Sequence, residues 1–134
     1  MRFAGINYLA VVVAALVGFA AGGVWYRVFG AAWMAALGRR PEDIKPTPGP
    51  FIVAFLAQLV MAYVLAGLIG HLGGAVNVQN SIVSAAFVWL GFVATTIAVN
   101  DSFQGAKPSL TLIDAGHWLV VLALMGFVIG LFGA

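Results

Sequence analysis

Four long apolar runs decide what this chain can fold into. They cover Ile6–Val28, Phe51–Leu72, Ile82–Val99 and Leu110–Phe132, and the only Asp, Glu, Lys or Arg side chains inside them are Arg27 and Asp114. An α-helix rises about 1.5 Å per residue, so roughly 20 apolar residues cross a hydrocarbon core about 30 Å thick. Each run approaches or exceeds that length. None alternates as a barrel strand would. In lipid the backbone N–H and C=O groups must be satisfied within the segment, which leaves the helix. The expected fold is all-α: an integral membrane four-helix bundle, with residues 1–134 as a single transmembrane domain.

Composition supports this expectation and excludes others. Hydrophobic residues make up 63% of the chain and charged residues 7%, against roughly 25% charged in a soluble domain. The net charge of +2 comes from scattered basic residues with no interleaved aromatic stripe, so nucleic acid is not an expected partner. Cysteine is absent, which removes disulfides, thiolate metal sites and cysteine nucleophiles. The apolar run after Arg2 is longer than a signal-peptide core of about 7–15 residues and is read as a retained first helix.

The connections carry the orientation signal. Residues 38–50, GRRPEDIKPTPGP, form a proline-rich loop holding Arg39, Arg40, Glu42, Asp43 and Lys45. Pro46, Pro48 and Pro50 are expected to keep it extended and to stop any helix. Four spans place this loop and the Asn100–Ser109 connection on one side, with Arg27, Arg39, Arg40, Lys45 and Lys107; the other side has Arg2. The positive-inside bias then makes the loop cytoplasmic and leaves both termini outside. Trp25, Tyr26 and Trp33 are expected as anchors at the cytoplasmic interface, with Arg39 and Arg40 near lipid headgroups.

Small residues mark expected helix contacts. Gly18-x-x-x-Gly22 lies in the first run and Gly126-x-x-x-Gly130 in the fourth, a spacing that lets helix backbones approach closely. Ser84, Val88, Gly91 and Thr95 form a further narrow stripe in the third run.

The blocks INYLAVVVAALVGF, VWY, FGAAWM, WLGFVATTIAVNDSFQG and LIDAGHWLVVLALMGFVIG, in this order and spacing, resemble the DUF1761 family of small bacterial membrane proteins. The resemblance covers most of the chain outside the proline-rich loop and the second run. It implies a four-helix protein in a bacterial inner membrane, and it supplies no reaction, cofactor or catalytic residue.

Polar groups within spans are costly, which makes them the first functional candidates. Asn100, Asp101, Asp114 and His117 are expected near the cytoplasmic ends of the third and fourth helices and form a candidate polar cluster. Thr111-Leu-Ile-Asp114 reads as a capping box, which would make Asp114 a helix-start residue; an interhelical hydrogen bond or ion handling are the alternatives. His71, followed by Gly73 and Gly74, reads as a helix end. Gln58, well inside the second run, is expected to bond across a helix or subunit contact. Asp114 and His117 are too few for a metal site, so no metal and no cofactor is expected. His71 and His117 fall on opposite sides, which argues against a haem held by both.

With no catalytic constellation in view, the expected role is a non-enzymatic helix-packing module, either an accessory or assembly subunit or a homo-oligomer, whose partners are the bilayer and a membrane protein. The alternative is a small oligomeric transporter or channel using the polar cluster.

Overall fold

The computed structural model describes residues 5–133 and consists of four long helices. They are α1 (Tyr8–Leu37), α2 (Pro48–His71), α3 (Val78–Gln104) and α4 (Pro108–Phe132), each long and apolar enough to cross a membrane. The four-helix membrane architecture expected from the apolar runs is therefore what the chain adopts. Arg2, used in the charge argument, lies outside the described residues.

The helices run past the apolar runs because their ends are set by capping chemistry as well as hydropathy. Asn7 caps α1 by accepting the Ala10 N–H at 3.2 Å. The helix continues to Leu37 and closes on Gly38 at φ 70°, whose N–H and that of Arg39 bond back to Ala35 and Met34. That left-handed closure is one glycine makes without a Cβ penalty. Asn77 caps α3 by accepting the Asn80 N–H at 2.8 Å. His71 lies in the last turn of α2, followed by Gly73 at φ 78°.

The proline-rich loop is shorter than expected. Pro48 and Pro50 do not block a helix; they lie in the first turn of α2, which starts at Pro48. First-turn N–H groups have no intrahelical partner, so proline loses nothing there. The remaining loop contains a single short turn, Pro41–Asp43, in which the Asp43 carboxylate accepts the Arg40 N–H at 3.1 Å.

Successive helices are antiparallel, and α1 and α4 form the central pair. One face of α4 packs on α1 and another on the first half of α3, while α2 lies against α1. Val121, Met125, Ala14, Ala15, Ala62 and Ala85 are fully buried at these seams. The α2–α3 edge stays loose, with an apolar groove of about 270 Å³ between them.

The outer helix, α3, contains a π-helical turn at Trp89–Ala94. Wide turns leave carbonyls without their usual partners, and in an apolar surrounding these must be satisfied locally. The hydroxyls of Thr95 and Thr96 donate to the carbonyls of Gly91 and Phe92. The extra residue also shifts the helical phase. The stripe of α3 that meets α4 runs through Val78, Ser81 and Ala85 to Trp89. Gly91 and Thr95 of the expected stripe are exposed.

Candidate functional site

One face of α4 carries Asp114, His117, Val121 and Met125, spaced three or four residues apart and so stacked along the helix. All four meet α1. The Tyr26 hydroxyl donates to Asp114 Oδ1 at 2.6 Å. The His117 imidazole lies against Gly22, where a Cβ would come within 2.8 Å of Nε2. Val121 and Met125 reach Gly18. Beside this stripe the Trp25 indole N–H donates to the Ile113 carbonyl at 3.1 Å, and its ring packs on Gly116. From the other side the Trp89 indole N–H donates to the Ala115 carbonyl at 2.8 Å. Two indoles and a phenol thus fix the first turns of α4 to its neighbours.

These contacts bear on two expectations. Trp25 and Tyr26 are interhelical hydrogen-bond donors aimed at α4, and Trp33 packs edge-on against Tyr26 with ring centroids 5.7 Å apart. Depth alone had placed them as interface anchors; the side-chain direction on α1 turns them inward. Arg39 and Arg40 are exposed in the loop. Asp114 does not cap a helix. The helix begins at Pro108 with Lys107 as its cap residue, which puts Asp114 nearly two turns inside, where its carboxylate needs a partner from another helix. Thr111, its supposed box partner, donates instead to Asp101 Oδ2 at 2.8 Å.

The expected cluster of Asn100, Asp101, Asp114 and His117 is divided. Asp101 joins Thr111 at the α3–α4 turn. Asp114 and His117 belong with Tyr26 on α1, the imidazole and phenol centroids being 4.9 Å apart. Asn100 is exposed and shares a shallow depression with Thr95, Thr96 and Val99. Both glycine pairs sit at close contacts, but of different kinds. Gly126 and Gly130 face the backbone of α3 at Ser81 and Val78, whereas Gly18 and Gly22 face the side chains of Gln58 and His117.

Gln58, expected to bond across a helix or subunit contact, is 2% exposed, and its carbonyl oxygen Oε1 has no hydrogen-bond partner among the described residues. His117, 6% exposed, has Nδ1 in the same condition. Buried polar groups without partners are rare in folded proteins. These two lie at one place, the inner wall of a cleft of about 530 Å³ between α1, α2 and α4. Its sides are Phe19, Gly22, Gly23, Phe51, Ala54 and Trp118, and Tyr26 and Arg27 lie toward the loop end. Gln58 is ten residues into α2 and His117 nine into α4, hence both about 14–15 Å from the loop end of the bundle.

The sequence had singled out Gln58 and His117 separately. It did not bring them together, because the cleft is formed by Phe19, Gly23, Phe51 and Trp118, which read as ordinary membrane-helix residues. Among the described residues there is no group of three or more His, Cys, Asp or Glu placed to hold a metal ion.

The model of a family described as a protein of unknown function, DUF1761, matches residues 9–130. The chain belongs to the DUF1761 family. The match takes in all of the α1–α4 stripe and every residue lining the cleft. Neither the curated proteins nor the solved structures contain a match to this chain.

Proposed function

We propose that this DUF1761 protein is a small non-enzymatic membrane module that takes a small molecule into the cleft between α1, α2 and α4. The observation that carries the reading is the coincidence of a cleft of about 530 Å³ with two buried, unpartnered polar side chains, Gln58 and His117. Small-molecule sites are typically concavities of about 300–1,000 Å³, mostly apolar, with a few convergent polar groups. The unpartnered atoms, Gln58 Oε1 beside Gly18 and His117 Nδ1, are enclosed by protein, so a ligand in the cleft would bond to Gln58 Nε2 and His117 Nε2. The indole and phenol bonds around Asp114 hold the α1–α4 wall rigid while α2 supplies the opposite wall.

The orientation that fits this reading has the cleft nearer the cytoplasm, in a bacterial inner membrane, with the 38–47 loop inside and both termini outside. Arg27, Arg39, Arg40, Lys45 and Lys107 all belong to the loop end and support it.

A second reading, an accessory subunit or homo-oligomer acting through helix contacts, is favoured by α3. Its most apolar window is 6% buried, against 33–44% for the other helices, and its exposed face carries the Asn100 amide, a group that bonds across helices in membranes.

Native mass spectrometry of the protein extracted gently from its own membrane separates the two. The expected result is a chain carrying a bound mass in the small-molecule range. A ligand-free chain in fixed ratio with a second polypeptide, or a ligand-free homo-oligomer, would overturn the cleft reading in favour of the helix-contact one.

A further inference from the structure

We infer that the cleft selects a neutral, flat, apolar molecule bearing carbonyl groups, a lipid-soluble molecule of the quinone class; this rests on the cleft being a ligand site. The charge distribution decides the first property. Arg27, exposed at the loop end, is the one Asp, Glu, Lys or Arg among the described residues that line the cleft, and the polar groups about 14–15 Å deeper are an amide and an imidazole. An anionic head drawn to that depth would meet no cation, at a cost that hydrocarbon makes high. The nearby carboxylate, Asp114, does not line the cleft and is already bonded to Tyr26. A neutral head meets hydrogen-bonding groups there.

The second property follows from what those groups do. With Gln58 Oε1 and His117 Nδ1 enclosed, the atoms left to meet a ligand are the amide Nε2, a donor, and the imidazole Nε2, a donor in one neutral tautomer. Gln58 comes from α2 and His117 from α4, so a head between them is bonded from two helices. A ring with carbonyl oxygens accepts from them. The imidazole is already held for this. It rests on Gly22, with the Tyr26 ring at 4.9 Å and the Trp118 ring at 4.5 Å, so little side-chain freedom remains to be lost on binding.

The third property comes from the walls. Phe19, Phe51 and Trp118 present aromatic surfaces that suit a flat ring, which gains from offset or edge-on packing. Gly23 leaves the α1 wall flat, since an added Cβ there would meet nothing within 4 Å. Phe51 is 60% exposed, so the cleft opens sideways on the surface that faces lipid, the phase from which such a molecule arrives and into which its apolar tail would extend.

The experiment titrates the full-length protein in lipid nanodiscs with ubiquinone-1 and follows tryptophan fluorescence, which a quinone ring against Trp118 quenches. Saturable quenching is expected, weakened about tenfold or more in Gln58→Leu and in His117→Leu through loss of one hydrogen bond each, and unchanged in Arg39→Gln, an exposed loop position outside the cleft. Thermal unfolding of the variants checks folding, and leucine at either position removes an unpaired polar group and should not lower the melting temperature. If they nevertheless unfold, photolabelling of the wild-type chain by an azidoquinone decides. Label on 19–27, 51–58 or 117–118 supports the inference, and label elsewhere overturns it. Dodecanoate binding that Arg27→Gln abolishes, with no saturable ubiquinone-1 binding, would overturn the quinone class and leave the cleft as a site for an anionic amphiphile. Saturable binding of neither probe would overturn both.

Discussion

The two glycine pairs have the same spacing and different uses. Gly126 and Gly130 on α4 let a second backbone in. A Cβ on Gly130 would come within 2.5–2.6 Å of Val78 Cα, Val78 N and the Asn77 carbonyl, and one on Gly126 within 2.7 Å of the Ser81 carbonyl. Gly18 and Gly22 on α1 make room for side chains, the Gln58 carboxamide and the His117 imidazole at 2.7 and 2.8 Å. The first pair solves a packing problem, since helices in lipid associate through close approach and not through hydrophobic drive. The second makes space for two buried polar side chains, the groups on which the proposed site rests. The spacing reports that something comes close; only the partner tells whether it is structure or site.

The largest effect that tests this contrast is expected at Gly130. Backbone atoms cannot rotate away, so Gly130→Ala must push the start of α3 off α4, at about 2–3 kcal/mol by the scale of overpacked cores. Reversible unfolding in mixed micelles should read that loss, with Gly126→Ala somewhat below it. A melt indistinguishable from wild type for Gly130→Ala would mean that the α3–α4 seam is looser than its geometry.

Next in size is the hydrogen bond that holds the site's rigid wall. Tyr26→Phe keeps the ring against His117 and removes the donor to Asp114. The expected cost is about 1–2 kcal/mol, between the average for interhelical bonds in membranes and the value for bonds to charged groups. Asp114→Asn in the same background should add little, because the pair is already broken. If the two losses simply add, the bond contributes nothing and Asp114 is stabilised by something other than Tyr26.

These two predictions mark what could be read from the sequence. The spans were legible because hydropathy and length leave lipid-embedded backbone one solution. Helix ends were less so: Pro48 and Pro50 punctuate a soluble-looking loop, yet proline is as much at home in a first turn. Asp114 was misread for a related reason. A threonine three residues before an acid looks like a cap wherever it occurs, and only the true start at Pro108 turns it into an interior position. Trp25 and Tyr26 bond to α4, an azimuth the sequence does not show, because interface aromatics and interhelical aromatics occupy the same levels of a helix. The cleft had no signal of its own. It arises where α2 stands off from α1 beside Gly23, and the phenylalanines lining it look like lipid-facing ones.

A smaller effect is expected at Gly18. The nearest atoms to an added Cβ are the ends of Gln58, Met125 and Val121, and the longer of these side chains can shift by a few tenths of an ångström. Gly18→Ala should therefore cost under about 1 kcal/mol, well below Gly130→Ala, in the same unfolding measurement. Equal losses at the two positions would erase the distinction between the pairs.

The smallest stability effect, and the sharpest separation of site from scaffold, belongs to Gly23. It neighbours Gly22, lines the cleft, and has nothing within 4 Å of where a Cβ would be. Gly23→Ala meets no protein atom, so stability should stay within about 0.5 kcal/mol of wild type. What it does change is the flat wall of the cleft, where a methyl group occupies space a bound ring would use. Ubiquinone-1 affinity is expected to fall by several-fold while the melting temperature holds. Unchanged stability and unchanged affinity would place the ligand away from the α1 wall, against Trp118 and Phe51. A large loss of stability would mean that α2 closes on α1 more tightly than the cleft allows, and that the space beside Gly23 is filled by the protein itself.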